Sequence, residues 1–282
     1  MSDVSLQPIL ILLSQSAAGN PSQYMVEKAF AKAELDWRYL SAEVTADQLE
    51  DAVRGIRALG FQGGNCARPH NRAVAPLLDR LEGTAERIGA VNFIRRDGDA
   101  LVGENTEGQG LLLAVKAQRE APVGRALVFG TGDFARAVAV ELAQGGAEEI
   151  LILGRDSESA QALAQLLADA FSICARSAAW DENTEPPEHL DLIVNATPVG
   201  TQGVDGRLPI PWDTLASDAL VADANLEEPH PTLLEEAAQR GLATVHGLDI
   251  YLEQAALNIQ HWTGVEPDRT VIREAVEEFL EL

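Results

Sequence analysis

Short apolar runs alternate along this chain with stretches in which apolar side chains recur every three or four positions. In the first part, the runs predict strands at residues 7–13, 36–41 and 61–66, and a hairpin of residues 90–95 and 100–102 that turns at Asp97-Gly98. Helical spacing predicts helices at residues 22–33, 46–59 and 72–81, with Thr45 as the N-cap of the second. Strands that alternate with helices indicate an α/β fold with a parallel sheet.

The alternation continues after residue 105, in a stretch that we interpret as a second domain. Strands are predicted at residues 125–129, 149–153, 191–194, 220–222 and 244–245. Helices are predicted at residues 108–118, 134–145, 157–170 and 232–240, followed by closing helices at 250–262 and 268–280. We therefore expect two α/β domains with a boundary near residue 105. The spacing alone leaves open which domain the closing helices join.

A glycine-rich turn lies between the strand at 125–129 and the helix that follows it. Its residues are Gly130, Thr131, Gly132, Asp133, Phe134 and Ala135. They fit the G-x-G-x-x-G/A pattern, in which Gly130 permits the turn, Gly132 admits a pyrophosphate and Ala135 permits close packing. The helix N-terminus offers amides to the phosphates. Asp133 is an awkward neighbour for a phosphate and is alternatively a helix cap. The turn predicts a dinucleotide cofactor.

The end of the next strand bears on which dinucleotide is bound. Dinucleotide folds read the ribose about 20 residues after the glycine turn, and here the strand at 149–153 is followed by Arg155 and Asp156. Asp156 can accept from a 2′-hydroxyl, which favours NAD, whereas Arg155 can bind a 2′-phosphate, which favours NADP. A solvated salt bridge within the turn is the third interpretation. All three stay open here, with a slight preference for NADP.

Composition and charge narrow the class of partner. The chain has 282 residues, of which 46% are apolar and 23% charged, and none of its apolar runs reaches the roughly 18 residues of a membrane-spanning helix. A formal net charge of −23 repels nucleic acid and anionic membranes. Cys66 and Cys174 lack the spacing of a metal site, and we expect two buried thiols. These features predict a cytoplasmic protein with no bound metal, nucleic acid or membrane.

Five segments within residues 8–265 resemble the shikimate dehydrogenase family. The family's G-x-N-V-T-x-P-x-K segment corresponds to residues 63–71, its G-A-V-N-T to residues 89–93 and its G-x-N-T-D-x-x-G to residues 103–110. Its N-A-T-P-x-G segment is intact at residues 195–200, and its closing pattern matches Gly247, Gln254 and Trp262-Thr263-Gly264. The resemblance implies reversible hydride transfer between a nicotinamide and a ring hydroxyl or ketone of shikimate, quinate or a related cyclic acid. It also implies a place in the shikimate pathway of aromatic amino acid biosynthesis.

The resemblance further implies how the chain divides and which residues meet the ligands. Residues 1–105, joined by 248–282, correspond to the substrate-binding domain, and residues 106–247 to the Rossmann NAD(P)-binding domain. The implied substrate-binding residues are Ser22, Asn65, Asn92, Asn105 and Gln254. Besides the glycine turn, Arg155 and Asp156, the implied cofactor-binding residues are Asn195, Thr197, Pro198 and Gly247. NADP is the expected cofactor, with NAD possible, in a monomer or homodimer.

Two departures from the family affect its proton chemistry. The family's catalytic Lys corresponds to Asn71, and its partner Asp corresponds to Glu107. Reduction of a ketone needs a proton donor near the oxygen, and an amide such as that of Asn71 does not titrate. The neighbouring His70 is of a residue type that titrates near neutral pH, and Glu107 can act as an acid where it is shielded from water. We therefore name Glu107, Asn71 and His70 as the catalytic candidates, with Glu107 as the surviving acid–base group.

Smaller departures change the predicted pocket and support an alternative function. Ala67 and Phe93 replace threonines of the family, and Asn20 replaces the first of two serines that hold the substrate carboxylate. These changes make the pocket less suited to shikimate. The alternative is a catalytically weak or inactive paralogue that binds nucleotide or a small acid as a sensor or partner module. The missing Lys favours the alternative, whereas the retained Asn92, Asn105, Gln254 and cofactor segments favour the enzyme.

Overall fold

Strands of the N-terminal part form a mixed sheet in this computed structural model, which describes residues 6–179, 186–201, 204, 206–226 and 228–282. They are β1 (Ile9–Ser14), β2 (Arg38–Glu43), β3 (Gly63–Cys66), β4 (Arg80–Leu81), β5 (Phe93–Asp97) and β6 (Ala100–Glu104). Their order across the sheet is β2-β1-β3-β5-β6-β4. β1 is parallel to both β2 and β3, β5 is antiparallel to β3 and β6, and β4 is parallel to β6.

The helices that accompany this sheet are mostly short. They are α1 (Ser22–Lys32), α2 (Leu49–Ala58), α3 (His70–Ala73), α4 (Thr84–Ile88) and, from the end of the chain, α10 (Arg269–Leu280). α2 buries Leu49, Val53 and Ile56, which recur at helical spacing and join the core of this sheet. α10 packs on α1, where the Tyr24 hydroxyl donates to Glu278 Oε2 at 2.6 Å.

The second sheet is parallel throughout its described residues. Its strands are β7 (Arg125–Phe129), β8 (Glu149–Gly154), β9 (Cys174–Ala179), β10 (Leu190–Asn195), β11 (Leu215–Asp223) and β12 (Ala243–Val245). Their order is β12-β11-β10-β7-β8-β9, and they alternate along the chain with α5 (Glu107–Gln118), α6 (Asp133–Gln144), α7 (Ser157–Ala170) and α8 (Thr232–Gln239). Counted within this sheet, the order is 3-2-1-4-5-6, which defines the Rossmann fold. The predicted two-domain α/β fold class is therefore confirmed.

The chain divides into two compact units. The first contains the residues up to Thr106 together with Gln254–Leu282, and the second contains Glu107–Glu253. The helix before α10 is α9 (Gly247–Thr263), which begins in the second unit and ends in the first. At its end the Trp262 indole donates to the Ile94 carbonyl at 2.9 Å, and its ring stacks on Phe93 with centroids 4.9 Å apart. The expected return of the C-terminal helices to the first part of the chain is confirmed.

The prediction of a helix at residues 72–81 is wrong. α3 ends at Ala73, a 3₁₀ turn follows at Ala75–Leu77, and the chain then enters β4. Pro76 lies inside the predicted helix, and a proline there lacks the amide that a helix interior needs and clashes with the preceding turn. The apolar spacing that suggested one helix is therefore divided between a turn and a strand.

Other local predictions also differ from the structure. Thr45 precedes a 3₁₀ turn and not α2, and its hydroxyl contacts the side chains of Asp47 and Gln48, so it caps no amide. α4 and β9 were not predicted, because α4 has only five residues and β9 is a partly exposed edge strand without a continuous apolar run. Short elements carry little periodic signal, and their formation depends on the neighbours that they meet.

The cysteines differ in environment. Cys66 is buried in β3, and burial raises the pKa of its thiol to about 12. Cys174 is exposed at the start of β9, so the expectation that both thiols are buried is wrong for Cys174. Among the described residues, every helix is either too short or too polar to span a membrane.

Candidate active site

The glycine turn after β7 brings three strand ends together. Gly130 has a φ of +116°, and a Cβ at this position would lie 2.8 Å from the Ala196 carbonyl oxygen, so both its conformation and its neighbour require glycine. Its amide donates to Leu153 O at 2.8 Å, at the end of β8. Ala196 follows β10, which pairs with β7 where the strand order reverses. In sheets of this kind ligands bind in the crevice at that switch point.

The turn presents the N-terminus of α6 to open space. Gly132 occupies the N-cap position, and an added Cβ would meet no described atom within 4 Å. Ala135 is fully buried, which fits close packing of α6 on the sheet. Asp133 is the first residue of α6 and not its cap, so the alternative role that we gave it is wrong, although a helix N-terminus favours a negative charge there. Phe134, next in the helix, is half-buried.

Arg155 and Asp156, which follow β8, differ in the hydrogen bonds and exposure of their side chains. Asp156 is the N-cap of α7, where it accepts from the amides of Glu158 and Ser159 at 3.2 and 3.3 Å and also contacts the Ser159 hydroxyl. The Ser159 hydroxyl, followed by the two amides, lowers the pKa of Asp156. Arg155 is exposed beside it. Helix capping therefore already uses both oxygens of Asp156.

The segment Asn195–Gly200 is held by hydrogen bonds within itself. The buried Asn195 side chain accepts from the amide and hydroxyl of Thr197 at 3.0 and 2.7 Å and donates to the Val199 carbonyl at 3.0 Å. The Thr197 hydroxyl in turn accepts from the Val199 amide at 3.1 Å. Pro198 is exposed at the tip. Asn195 and Thr197 therefore shape the segment, whereas Pro198 is exposed to solvent.

Asp223, at the end of β11, is a site residue that sequence reasoning missed. Its carboxylate accepts from Asn195 Nδ2 at 2.9 Å and from the amide and side chain of Asn225 at 2.9 and 2.7 Å. Burial raises its pKa, against the lowering effect of these donors. The sequence feature that could have indicated Asp223 is a single acidic residue directly after the apolar run of residues 219–222, with an asparagine two positions further on.

Gly247 begins α9 next to the same residues. An added Cβ would lie 2.3 Å from the Asn225 carbonyl oxygen, so the position requires glycine because helix and loop approach closely. Gly247 itself is buried. We name the residues around the reversal of strand order the switch-point edge: Gly130–Asp133, Arg155, Asn195–Gly200 and Asp223.

The first unit contains a group of neutral polar side chains, all buried except the part-buried Asn65, which we call the amide cluster: Asn65, Asn71, Asn92, Asn105, Thr106 and Asn258. Asn65 accepts from the Tyr39 hydroxyl at 2.8 Å and donates to the Asn92 carbonyl at 3.0 Å. The side chain of Asn92 accepts from the Thr106 amide at 2.8 Å and donates to the Thr106 hydroxyl at 3.1 Å. The sequence motifs thus bring Asn65, Asn92 and Thr106 into one hydrogen-bonded chain of neutral polar groups. Such groups suit hydroxyl-bearing ligands.

Further contacts complete the amide cluster. Asn105 Nδ2 donates to the Ala90 carbonyl at 3.2 Å. The Thr106 hydroxyl donates to Asn258 Oδ1 at 2.8 Å, which joins α9 to the cluster. Asn258 was not predicted, because its role depends on where the C-terminal helix returns.

Asn71 is 3% exposed within this cluster and is anchored on one side. Its Nδ2 donates to the Cys66 carbonyl at 3.1 Å, and its backbone carbonyl accepts from the Val91 amide at 2.8 Å. Its Oδ1 is shielded and meets no donor among the described residues. A buried acceptor without a donor costs roughly 1–3 kcal/mol. The amide that the sequence resemblance places at the family's lysine thus has an acceptor without a donor among the described residues.

His70 is used by the fold. Its ring is 1% exposed, and Nε2 lies 2.7 Å from the Val44 carbonyl oxygen, to which it must donate because a carbonyl only accepts. The imidazole is thus fixed as a structural donor. This placement argues against our suggestion that His70 supplies the proton.

The remaining candidates lie at helix ends and on α9. Ser22 opens α1, is buried, and its amide donates to Asn20 Oδ1 at 2.9 Å. Gln254 is part-buried on α9. Glu107 is part-buried as the first residue of α5, in the second unit, where a helix N-terminus favours its negative charge. Over the described ranges, His, Cys, Asp and Glu side chains form no group of three that could hold a metal ion.

A doubly wound sheet with a glycine turn at its switch point, preceded by a smaller mixed-sheet unit, defines a class of two-domain α/β proteins. Within that class, the family model for the shikimate dehydrogenase substrate binding domain matches residues 14–94, and the shikimate 5′-dehydrogenase C-terminal domain matches residues 247–277. Shikimate dehydrogenase (NADP(+)) of Methanopyrus kandleri is 38% identical over 264 residues, covering 92% of this chain and 91% of that protein. The chain therefore belongs to the shikimate dehydrogenase family.

Solved structures agree with this assignment. A ligand-free 5-ketofructose reductase of Gluconobacter sp. superposes with a TM-score of 0.91 at 34% identity, covering 97% of this chain and 99% of that one. Shikimate 5-dehydrogenase from Listeria monocytogenes, solved with shikimate and NAD, superposes with a TM-score of 0.88 at 28% identity, covering 95% and 96%. The likeness extends over both units of the chain.

Proposed function

We propose that the chain is an NADP-dependent oxidoreductase that transfers hydride reversibly between the nicotinamide and a ring hydroxyl or ketone of a small cyclic acid such as shikimate or quinate. The observation that carries the proposal is the glycine turn at the switch point of a 3-2-1-4-5-6 sheet, in a chain of the shikimate dehydrogenase family. The Methanopyrus kandleri relative is named for NADP, and the Listeria relative was solved with shikimate and NAD.

The residues at the switch-point edge fit a dinucleotide. The open space beside Gly132 leaves room for a pyrophosphate on the first amides of α6. Arg155 is exposed where the ribose would lie, and Asp156 is occupied as a helix cap, so the pair favours a 2′-phosphate over a 2′-hydroxyl. NADP is therefore the proposed cofactor, and NAD remains the second choice. When bound, the nicotinamide supplies the hydride acceptor or donor.

The amide cluster is the proposed substrate site. Asn65, Asn92 and Asn105 would orient ring hydroxyls, with Ser22 and Gln254 completing the set. Glu107 is the proposed acid–base group, helped by water, because His70 is bonded to the backbone. Asn71 holds no transferable proton, so we propose that turnover of shikimate itself is slow. Monomer or homodimer assembly and a cytoplasmic location stay predictions.

The second candidate is the catalytically weak paralogue that binds nucleotide or a small acid. Asn71 favours it, since the amide cannot replace the family's lysine in proton transfer. A turnover screen separates the two. Shikimate, quinate and 5-ketofructose, the last chosen because of the Gluconobacter relative, are assayed with NADP(H) and NAD(H). Turnover on any of these supports the enzyme, whereas nucleotide binding without turnover on the whole panel supports the paralogue.

A further inference from the structure

Asp223 joins the two segments that end at the switch-point edge. Its Oδ2 accepts from Asn195 Nδ2, at the end of β10, and its Oδ1 accepts from the amide and side chain of Asn225, after β11. The residue is 1% exposed. These hydrogen bonds are charge-assisted and largely shielded from water, so they hold both segments more firmly than neutral pairs would.

The Asp223 contact also decides how the Asn195 amide is oriented. Because Nδ2 of Asn195 points at the carboxylate and at the Val199 carbonyl, its Oδ1 must face Thr197, where it accepts from the amide and the hydroxyl. The Asn225 side chain also approaches the Val199 carbonyl at 3.4 Å. The shape of Asn195–Gly200 therefore depends on an acceptor in the neighbouring strand.

We infer that Asp223 is a positioning residue whose carboxylate holds Asn195–Gly200 in the shape that receives the nicotinamide end of the dinucleotide. The inference rests on the proposed function for the identity of the ligand. Asp223 touches no ligand in this account, since it is buried beneath the segment. Its effect reaches the cofactor through Asn195, Thr197 and the exposed Pro198.

Asp223→Asn is the informative change, since it preserves the size of the side chain. One acceptor becomes an NH₂ group that faces a donor, either Asn195 Nδ2 or the Asn225 amide, so a hydrogen bond turns into a repulsive contact. Asn225→Ala is a milder second variant, which removes the side-chain donor to Asp223 but keeps the backbone donor.

Asp191→Asn is the matched control. Asp191 lies near the start of β10, at the opposite end of the same sheet. Its carboxylate accepts from the amides of Gly124 and Arg125, both at 2.9 Å, and from Arg119 at 2.7 Å. The Asp191→Asn variant therefore disturbs a similar set of hydrogen bonds, but at the end of the sheet opposite to the switch-point edge.

Two measurements on the full chain test the inference. Calorimetry with NADPH and NADH should show that Asp223→Asn weakens both about tenfold or more and by the same factor, because Arg155 is untouched, while Asn225→Ala weakens both about threefold. Asp191→Asn should bind both as the parent does. Hydrogen exchange of the nucleotide-free protein should show faster exchange at the Thr197 and Val199 amides in Asp223→Asn, but not in Asp191→Asn.

The outcomes separate this inference from the proposed function. If the parent binds neither nucleotide, the proposed function fails and the positioning role fails with it. If the parent binds but the folded Asp223→Asn protein keeps parental affinity, or if the Thr197 and Val199 amides exchange as in the parent, the inference alone is overturned. An equal loss of affinity in Asp191→Asn would also overturn it, because the effect would then be general destabilisation.

Discussion

The switch-point edge of the second unit and the amide cluster of the first unit are built in different ways. The glycine turn of this edge is defined mainly by backbone: the positive φ of Gly130, the open space beside Gly132 and the first turn of α6. The amide cluster is defined by side chains that bond to one another and to backbone carbonyls. A backbone site tolerates many changes of side chain, whereas one substitution in a side-chain site changes its chemistry. We propose that Asn71 is such a substitution, since the sequence resemblance places it at the family's lysine.

The largest effect is expected from closing the backbone site. Gly132→Val places a branched side chain in the space through which a pyrophosphate would approach the amides of α6. Since Gly132 already has an extended conformation, the fold should tolerate the change. Calorimetry should show that nucleotide affinity falls by at least about 100-fold, because several hydrogen bonds to phosphate are lost.

Gly55→Val is the control for this change. Gly55 lies in α2 of the first unit, and an added Cβ there also meets no described atom within 4 Å. The control should bind nucleotide as the parent does. Parental binding by folded Gly132→Val would mean that the turn does not hold the dinucleotide.

A smaller effect is expected from the residue proposed to read the ribose. Arg155→Ala should weaken NADPH roughly tenfold or more and NADH far less, because only NADPH carries the 2′-phosphate that an arginine binds bidentately. Affinities for both nucleotides are compared with those of Arg54→Ala, another exposed arginine, in α2. Equal losses for the two nucleotides would remove Arg155 from this role.

The smallest effect is expected from the cap beside it. Asp156→Ala should lower the melting temperature by a few degrees, since two amides of α7 lose their acceptor, whereas Asp156→Asn keeps an acceptor and should change little. The pKa of Asp156 is lowered in the folded protein. The ionised Asp156 side chain therefore stabilises the folded protein at pH values above the pKa that this group has in the unfolded chain. This stabilisation is lost as the pH falls through the lower pKa of the folded state. Thermal melts of parent and Asp156→Ala should converge in acid, and a constant difference would contradict this account.

The same contrast explains how far the sequence could be interpreted. β7 and α7 were predicted to the residue, because a buried apolar run or a capped amphipathic stretch is a local signal. Asp223 and Asn258 could not be found in this way. Asp223 matters only because β10 lies beside β11, and Asn258 only because α9 returns to Thr106. Their roles depend on contacts between residues far apart in the sequence.

The catalytic candidates show even more clearly what could not be predicted from the sequence. The sequence predicted roles for Asn71 and Glu107 from their positions in family motifs and for His70 as the histidine next to Asn71, and these catalytic roles stay predictions. It could not show that the His70 ring bonds to Val44 or that Asn71 Oδ1 lacks a donor. Both facts depend on the packing of segments brought together by the first sheet.

Shikimate oxidation by the parent and by the double variant Asn71→Lys, Glu107→Asp, with NADP⁺, tests the central claim most directly. The Methanopyrus kandleri relative is assayed beside them. General acid–base groups contribute about 10²- to 10⁴-fold, so the parent should be slower than that relative by roughly this factor. The double variant should recover at least about tenfold in kcat, more than either single change. A parent that oxidises shikimate as fast as the relative would show that the lysine is dispensable here and would contradict the account of Asn71.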